Sequence, residues 1–173
     1  MSAERVADVL IISAGPTGLS LAISLRQRGI AVRIIDRAQQ PSSVSKALAV
    51  WSASLEALQG MQVVDAFLCQ GKRLKALRIG DGKRQLARME VGDGIDSPFP
   101  FPLLLPQSET ERLLGAELAA LGVAVERGVE LTDLGQDDGG VTANLSHAAE
   151  AARRRVPAIS SVAMAPAAPS AKR

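Results

Sequence analysis

The chain is poor in the residues that cross-links, metal sites and base stacking require. Its 173 residues include one cysteine, one histidine and 2% aromatic side chains. Cys69 alone cannot form an internal disulfide, which fits a reducing compartment, and its apolar helical surroundings predict a buried, inert thiol. His147 has no cysteine or carboxylate cluster around it, so the sequence predicts no metal site and no catalytic triad.

Long apolar runs and a concentrated basic surface are absent as well. No segment approaches the roughly 20 apolar residues of a membrane-spanning helix, and no signal-peptide pattern precedes the first apolar segment. We therefore expect a cytoplasmic protein without a membrane partner. The isoelectric point of about 9.0 reflects residues 150–173, whose net charge is +4, whereas the remaining chain carries −2. With so few aromatic residues, this distribution argues against nucleic-acid binding.

The segment DVLIISAGPTG at residues 8–18 indicates a nucleotide site. Val9–Ile12 is continuously apolar, as in a parallel strand covered on both faces, and helical spacing of apolar residues continues from Gly18 to Gly29. Such a strand–turn–helix holds a dinucleotide pyrophosphate, because backbone N–H groups at the helix N-terminus converge on the anion. The predicted contacts are Ser13, Ala14, Gly15, Pro16, Thr17 and Gly18.

A second strand, Ile30–Ile35, ends in Asp36. This carboxylate stands 18 positions after Gly18, close to the spacing of about 20 at which an acid meets a ribose hydroxyl. Its two oxygens can accept hydrogen bonds from the ribose diol. The alternative is a glycine-rich turn that binds nothing, which the ordered strand, turn, helix, second strand and acid disfavour.

Ser13 departs from the glycine pattern, since the first of the three turn glycines is expected at its position. If the turn has a negative φ there, the serine Cβ is tolerated. If the cofactor packs against it, the side chain crowds the site and weakens binding. The residues leave both cases open, although we expect weakened rather than abolished binding and tighter binding by a Ser13→Gly variant.

Three segments together resemble a known family. DVLIISAGPTGLSLAISLRQRGIAVRIIDR, PSSVSKALAV and LLLPQSETERLLGAEL are similar, in that order, to the FAD domain of class A flavoprotein monooxygenases, the p-hydroxybenzoate hydroxylase-like phenol and polyketide hydroxylases. The resemblance covers about residues 6–147. It implies that the turn holds the FAD pyrophosphate, that Asp36 meets the adenosine ribose, and that NAD(P)H is the co-substrate. The adjacent Arg37 is a further predicted cofactor-binding residue.

The resemblance also implies two residues closer to the flavin. Lys46 stands where the family has arginine, so it keeps the charge but lacks the planar fork; a solvated loop lysine is the alternative. Gln107 matches a glutamine that hydrogen-bonds the cofactor. Ser108 and Glu111 read as a helix-capping box, which is an alternative explanation for part of that motif.

The predicted fold is α/β: a Rossmann-like FAD-binding βαβ with a parallel sheet plus added β-hairpins, incomplete. Helices are expected over 48–58, 63–70 and 109–121, and a strand over 123–126. Hairpins are expected over 74–91 and 129–145. Residues 1–147 form the partial FAD-binding domain in this interpretation.

Residues 148–173 show no strand or helix pattern, which predicts a disordered or aberrant tail. The family's next strand would then be missing, leaving Val9–Ile12 as a bare sheet edge prone to self-association. The tail carries a possible trace of the missing motif. One set of synonymous codons for Val162–Lys172, read in another frame, encodes Gly-Asp-Gly-Ala-Arg-Ser-Ala-Val-Arg-Lys, which is similar to the family motif.

We therefore hypothesise a frameshifted gene. Its nucleotide sequence should contain, in the alternative frame downstream of this point, a continuation that resembles a hydroxylase. A frame without such a continuation contradicts the hypothesis.

Two functions compete. The first is the FAD-binding portion of an NAD(P)H-dependent aromatic monooxygenase that is inactive as this chain alone. The second is a non-catalytic nucleotide-binding or interaction protein, such as a degenerate paralogue. An NAD-only dehydrogenase is a weaker third reading, disfavoured by the segments around Lys46 and Gln107.

Overall fold

A computed structural model describes residues 7–41, 49–81, 84–138, 140–147, 150–159 and 161–164. These residues form two compact units, one from the described residues before 42 and from Leu114 onward, the other from those between 49 and Leu113. The elements in chain order are β1 (Val9–Ile12), α1 (Pro16–Gln27), β2 (Val32–Asp36), β3 (Ala49–Val50), α2 (Ser52–Gly60), α3 (Val64–Gln70), β4 (Lys72–Arg73), β5 (Ala76–Gly80), β6 (Gln85–Glu90), β7 (Leu103–Leu104), α4 (Gln107–Ala120), β8 (Val125–Arg127), β9 (Val129–Asp137), β10 (Gly140–His147), β11 (Glu150–Ile159) and β12 (Ser161–Met164).

The first unit contains a four-stranded parallel sheet in the order β12-β1-β2-β8. β1, α1 and β2 form the predicted βαβ, in which Val9 pairs with Val32 and Ile12 with Ile35. The parallel strands need a crossover, which α1 supplies. The α/β fold with a parallel sheet is thereby confirmed.

The parallel sheet is covered on both faces. Ile11 faces α1, since its Cγ2 lies beside Gly18. The adjacent Leu10 points the other way and packs with Ile35 against buried residues of β9 and β10. The strands β11, β10 and β9 form an antiparallel sheet that provides this second layer. Burial on both faces explains why β1 reads as a continuous apolar run.

The second unit has two small sheets. β7 lies between β3 and β4 and pairs antiparallel with each of them. β5 and β6 form the predicted hairpin, with Leu77 opposite Met89. α3 closely matches the predicted helix, whereas α2 begins at Ser52 because Ala49 and Val50 pair with β7 instead of joining the helix.

Three sequence expectations are wrong for the described residues. Strands β11 and β12 lie in the segment expected to lack regular structure, since β10 and β1 supply pairing partners that local composition does not reveal. β1 is consequently an interior strand rather than a bare edge, which removes the stated reason for self-association. Cys69 is exposed, because α3 buries Val64 and Phe67 on another face. The domain boundary at residue 147 and the frameshift stay predictions.

Within the described ranges, every helix is too short or too polar to traverse a lipid bilayer. The cytoplasmic location stays a prediction.

Candidate functional site

The glycine turn joins the end of β1 to the start of α1. The Ser13 N–H donates to the Ile35 carbonyl at 2.9 Å, which extends the pairing with β2 by one residue. Ser13 itself has a φ of +89°, a backbone conformation that is strained for a residue with a Cβ. Of the two cases left open by the sequence, the negative-φ case is therefore excluded. Glycine is expected at position 13 because it adopts a positive φ without steric strain.

Gly18 allows α1 to pack against the turn. A Cβ at this position would overlap the Ser13 carbonyl oxygen, and it would lie 3.2 Å from the Ser13 carbonyl carbon and 3.3 Å from Ile11 Cγ2. Gly18 is buried and has no positive φ. Close approach of helix and strand, rather than backbone flexibility, is what requires glycine here.

The N-terminus of α1 fits an anion. Gly15 is the N-cap, with φ −76° and ψ −179°, and Pro16 occupies the first turn; within the described residues no side chain caps the helix. The first turn also contains no acidic side chain. Uncapped N–H groups and the positive end of the helix dipole therefore face the same region. These features suit the FAD pyrophosphate that the sequence predicts at this turn.

The Asp36 carboxylate accepts two backbone N–H groups, one in the glycine turn and one just after β2. Its Oδ2 accepts the Ala14 N–H at 2.7 Å, and its Oδ1 accepts the Ala38 N–H at 2.8 Å. The side chain is 14% exposed. Asp36 thus lies beside the glycine turn, as predicted, but it also holds that turn in place.

Arg127, which sequence reasoning missed, contacts the same carboxylate. Its Nη1 lies 3.4 Å from Asp36 Oδ2, and the two residues are direct partners in the β2–β8 pairing. The predicted strand ended at Glu126, one residue short of Arg127. Its position directly after a predicted strand was the available signal in the sequence, but its partner was not. Arg37, in contrast, is exposed just beyond β2.

The remaining predicted residues belong to the second unit. Gln107 is the first residue of α4, and its Nε2 donates to Glu111 Oε1 at 2.8 Å. Ser108 lies inside the helix, where the Pro106 carbonyl accepts the N–H groups of residues 109 and 110, so the capping-box prediction is wrong. Glu111, only 8% exposed, instead orients the Gln107 amide. Lys46 lies outside the described residues.

The parallel βαβ and its glycine turn define a dinucleotide-binding α/β protein. Comparison with known families narrows this class, because the FAD binding domain family matches residues 6–162. The chain therefore belongs to the FAD binding domain family. The curated relatives that match it are named as monooxygenases, as the resemblance implied; one is named an aromatic compound monooxygenase and another a flavin-dependent monooxygenase.

Three relatives illustrate the similarity. 6-Methylpretetramide 4-monooxygenase of Streptomyces rimosus is 43% identical over 127 residues, which are 73% of this chain and 23% of the relative. Rifampicin monooxygenase of Rhodococcus hoagii is 32% identical over 143 residues, 82% of this chain and 29% of the relative. The structure of OxyS anhydrotetracycline hydroxylase from Streptomyces rimosus superposes with a TM-score of 0.76 at 29% identity, covering 92% of this chain and 31% of that one. The chain thus spans about a quarter to a third of the length of these proteins.

Replacing Ser13 by glycine should stabilise the protein. Relief of the positive φ is expected to raise the free energy of unfolding by about 1 kcal/mol, after allowing for the greater entropy of glycine in the unfolded chain. FAD should also bind more tightly, because glycine adopts the turn conformation without strain. Urea unfolding and FAD fluorescence titration measure the two effects. Ser13→Ala is the control, since it removes the hydroxyl and keeps the Cβ; equal gains in both variants contradict the backbone explanation.

Replacing Gly18 by alanine should separate α1 from the turn. The added methyl must displace the Ser13 carbonyl, so we expect a loss of roughly 1–3 kcal/mol in unfolding free energy and a clear loss of FAD retention. Gly115→Ala is a matched control, because Gly115 is also helical and a Cβ there meets no atom within 4 Å. That variant should be at least as stable as the wild type. Similar behaviour of the two variants in urea unfolding would refute the packing argument.

Proposed function

We propose that this chain is the FAD-binding portion of an NAD(P)H-dependent monooxygenase that hydroxylates aromatic substrates of the phenolic or polyketide class. The supporting observation is the glycine turn, in which Gly18 admits close packing of α1 and the Asp36 carboxylate accepts the Ala14 N–H. Because the chain belongs to the FAD binding domain family, FAD is the dinucleotide that we propose for this turn.

In this proposal, the turn binds the adenosine diphosphate part of FAD. The backbone from Ser13 to Gly18 surrounds the pyrophosphate, with the N–H groups of the first turn of α1 as donors. A carboxylate offers about four lone-pair sites. Described residues donate one hydrogen bond to each oxygen of Asp36, and the Arg127 guanidinium lies at ion-pair distance, 3.4 Å, from Oδ2. In this proposal Oδ1 also accepts a ribose hydroxyl, and the exposed Arg37 borders the same end of the cofactor.

Lys46 and Gln107 belong to the flavin end of the proposed site. Lys46 provides a positive charge without the bidentate geometry of the family arginine. Gln107 presents an amide whose orientation is fixed by Glu111. Bound FAD, reduced by a nicotinamide, supplies the oxygen chemistry, whereas the protein binds and orients it.

The proposed substrate class rests on the names of the relatives. The names of the compared proteins specify 6-methylpretetramide, rifampicin and anhydrotetracycline. These proteins have three to four times the length matched by this chain. Roughly two thirds or more of each of these proteins lies outside the matched part, and we expect no substrate-dependent NADPH consumption from the 173 residues alone.

A non-catalytic nucleotide-binding protein is the second candidate. The observation that favours it is Ser13, whose Cβ is held at a φ of +89° in the turn. A strained turn weakens cofactor binding, as expected for a degenerate paralogue.

Purified protein should retain FAD, seen as flavin absorbance, and Asp36→Asn should weaken that binding. Asparagine keeps one acceptor oxygen but replaces the other with a donor, which cannot accept a backbone N–H. The dissociation constant for FAD should rise by about tenfold or more, since hydrogen bonds to a charged acceptor are among the stronger ones. Fluorescence titration of FAD measures it.

Asp8→Asn is the matched control. Asp8 also accepts a backbone N–H from the neighbouring chain segment, that of Ala31 at 2.9 Å, but it precedes β1 at the opposite end from the turn. This variant should bind FAD as the wild type does. Failure of the wild-type protein to bind FAD contradicts the proposed function, and equal weakening by both variants contradicts the role of Asp36.

A further inference from the structure

We propose that Arg127 is a positioning residue of the FAD site, which holds the Asp36 carboxylate against the glycine turn. The inference rests on the proposed function, because it assigns to β8 a part in the site that β1, α1 and β2 form. Neither the glycine motif nor the acid at its expected spacing indicates such a residue.

The sheet brings the two side chains together. Asp36 and Arg127 end adjacent parallel strands and are register partners, so both side chains emerge on the same face. Both are mostly buried, with 14% and 22% of their side-chain surfaces exposed, which limits screening of the pair by water. Just beyond the strands, the Gly128 N–H donates to the Ala38 carbonyl at 3.2 Å and keeps the two strand ends in register.

Arg127 determines which part of the carboxylate stays available. Oδ2 accepts the Ala14 N–H and lies 3.4 Å from the Arg127 guanidinium, whereas Oδ1 accepts the Ala38 N–H and has no cation beside it among the described residues. The cation therefore attracts Oδ2 on the side of the turn and leaves Oδ1 the more accessible oxygen. Without Arg127, the two backbone donors alone restrain the carboxylate, and its hydrogen bond to Ala14 is weaker.

The charge of Arg127 matters for an anionic ligand. A carboxylate beside a pyrophosphate repels it, and partial burial strengthens that repulsion. The guanidinium 3.4 Å from Oδ2 offsets the carboxylate charge while leaving its acceptor capacity on Oδ1. Asp36 can then accept a ribose hydroxyl without a net negative charge beside the diphosphate.

The same pair of strands offers a control. Arg33 on β2 and Glu126 on β8 form a bidentate ion pair with both nitrogen–oxygen distances at 2.8 Å. Glu126 precedes Arg127, so its side chain points to the opposite sheet face. Arg33→Gln therefore removes an arginine–carboxylate pair between the same strands without touching Asp36.

The test compares Arg127→Gln with Arg33→Gln in the full chain. Arg127→Gln should raise the dissociation constants of FAD and of ADP by about tenfold, because a partner of a charged acceptor is lost. Arg33→Gln should leave both constants within about twofold, even if it lowers the melting temperature more, since its pair is the shorter, bidentate one. Arg127→Lys restores the charge without the fork and should recover part of the affinity.

A second readout does not depend on FAD. In the free protein, Arg127→Gln should speed hydrogen exchange of the Ala14 amide, measured by NMR relative to the Leu19 amide within α1, while Arg33→Gln should not. Unchanged Ala14 exchange in Arg127→Gln overturns the proposal, as does equal acceleration in both variants.

The outcomes separate this proposal from the proposed function. If the wild type binds neither FAD nor ADP, the function fails and the exchange measurement still decides the role of Arg127. If the wild type binds FAD, an unchanged constant in Arg127→Gln overturns the positioning role. Should Arg127→Gln fail to fold, Arg127→Lys decides. Faster Ala14 exchange than in the wild type, or a dissociation constant for FAD above the wild-type value, supports the role. Wild-type values of both quantities overturn it.

Discussion

The hydrogen bond from the Ala14 N–H to Asp36 Oδ2, at 2.7 Å, is the interaction on which the glycine turn depends. It ties the loop after β1 to the end of β2, two segments separated by the whole of α1. A side chain at the end of β2 therefore helps to hold the turn that precedes α1. Among the described residues, Oδ1 of the same carboxylate accepts only the Ala38 N–H.

Close packing places a second constraint on this corner of the sheet. α1 approaches so closely that the Ser13 carbonyl occupies the space where a Cβ of Gly18 would lie. Ser13 has a φ of +89°, where serine is strained. The two positions differ in kind: Gly18 is required by contact, whereas glycine at position 13 would be favoured by conformation. The chain has glycine at the first position and serine at the second.

Membership of the FAD binding domain family explains why these local features occur together. The diphosphate of a dinucleotide needs N–H donors and close approach of the backbone, and its ribose needs a hydrogen-bond acceptor.

The sequence predicted the elements that depend on local patterns. β1, α1, β2 and the β5–β6 hairpin follow from apolar periodicity and turn residues. It failed for β11, an alanine- and arginine-rich segment, and for the short β12, which become strands through pairing with β10 and β1. It also failed at Ser108, because helix α4 begins at Gln107 and Glu111 contacts the Gln107 side chain.

By itself, the sequence determined the class of site, because a glycine turn after an apolar strand and an acid at the end of the next strand are properties of residues near one another in the chain. The tertiary structure decided how the acid is used. Asp36 and Arg127 are 91 positions apart and meet only because β2 and β8 are adjacent strands ending at the same sheet edge. Sheet pairing between distant segments depends on the packing of the whole unit, and local patterns do not carry that information.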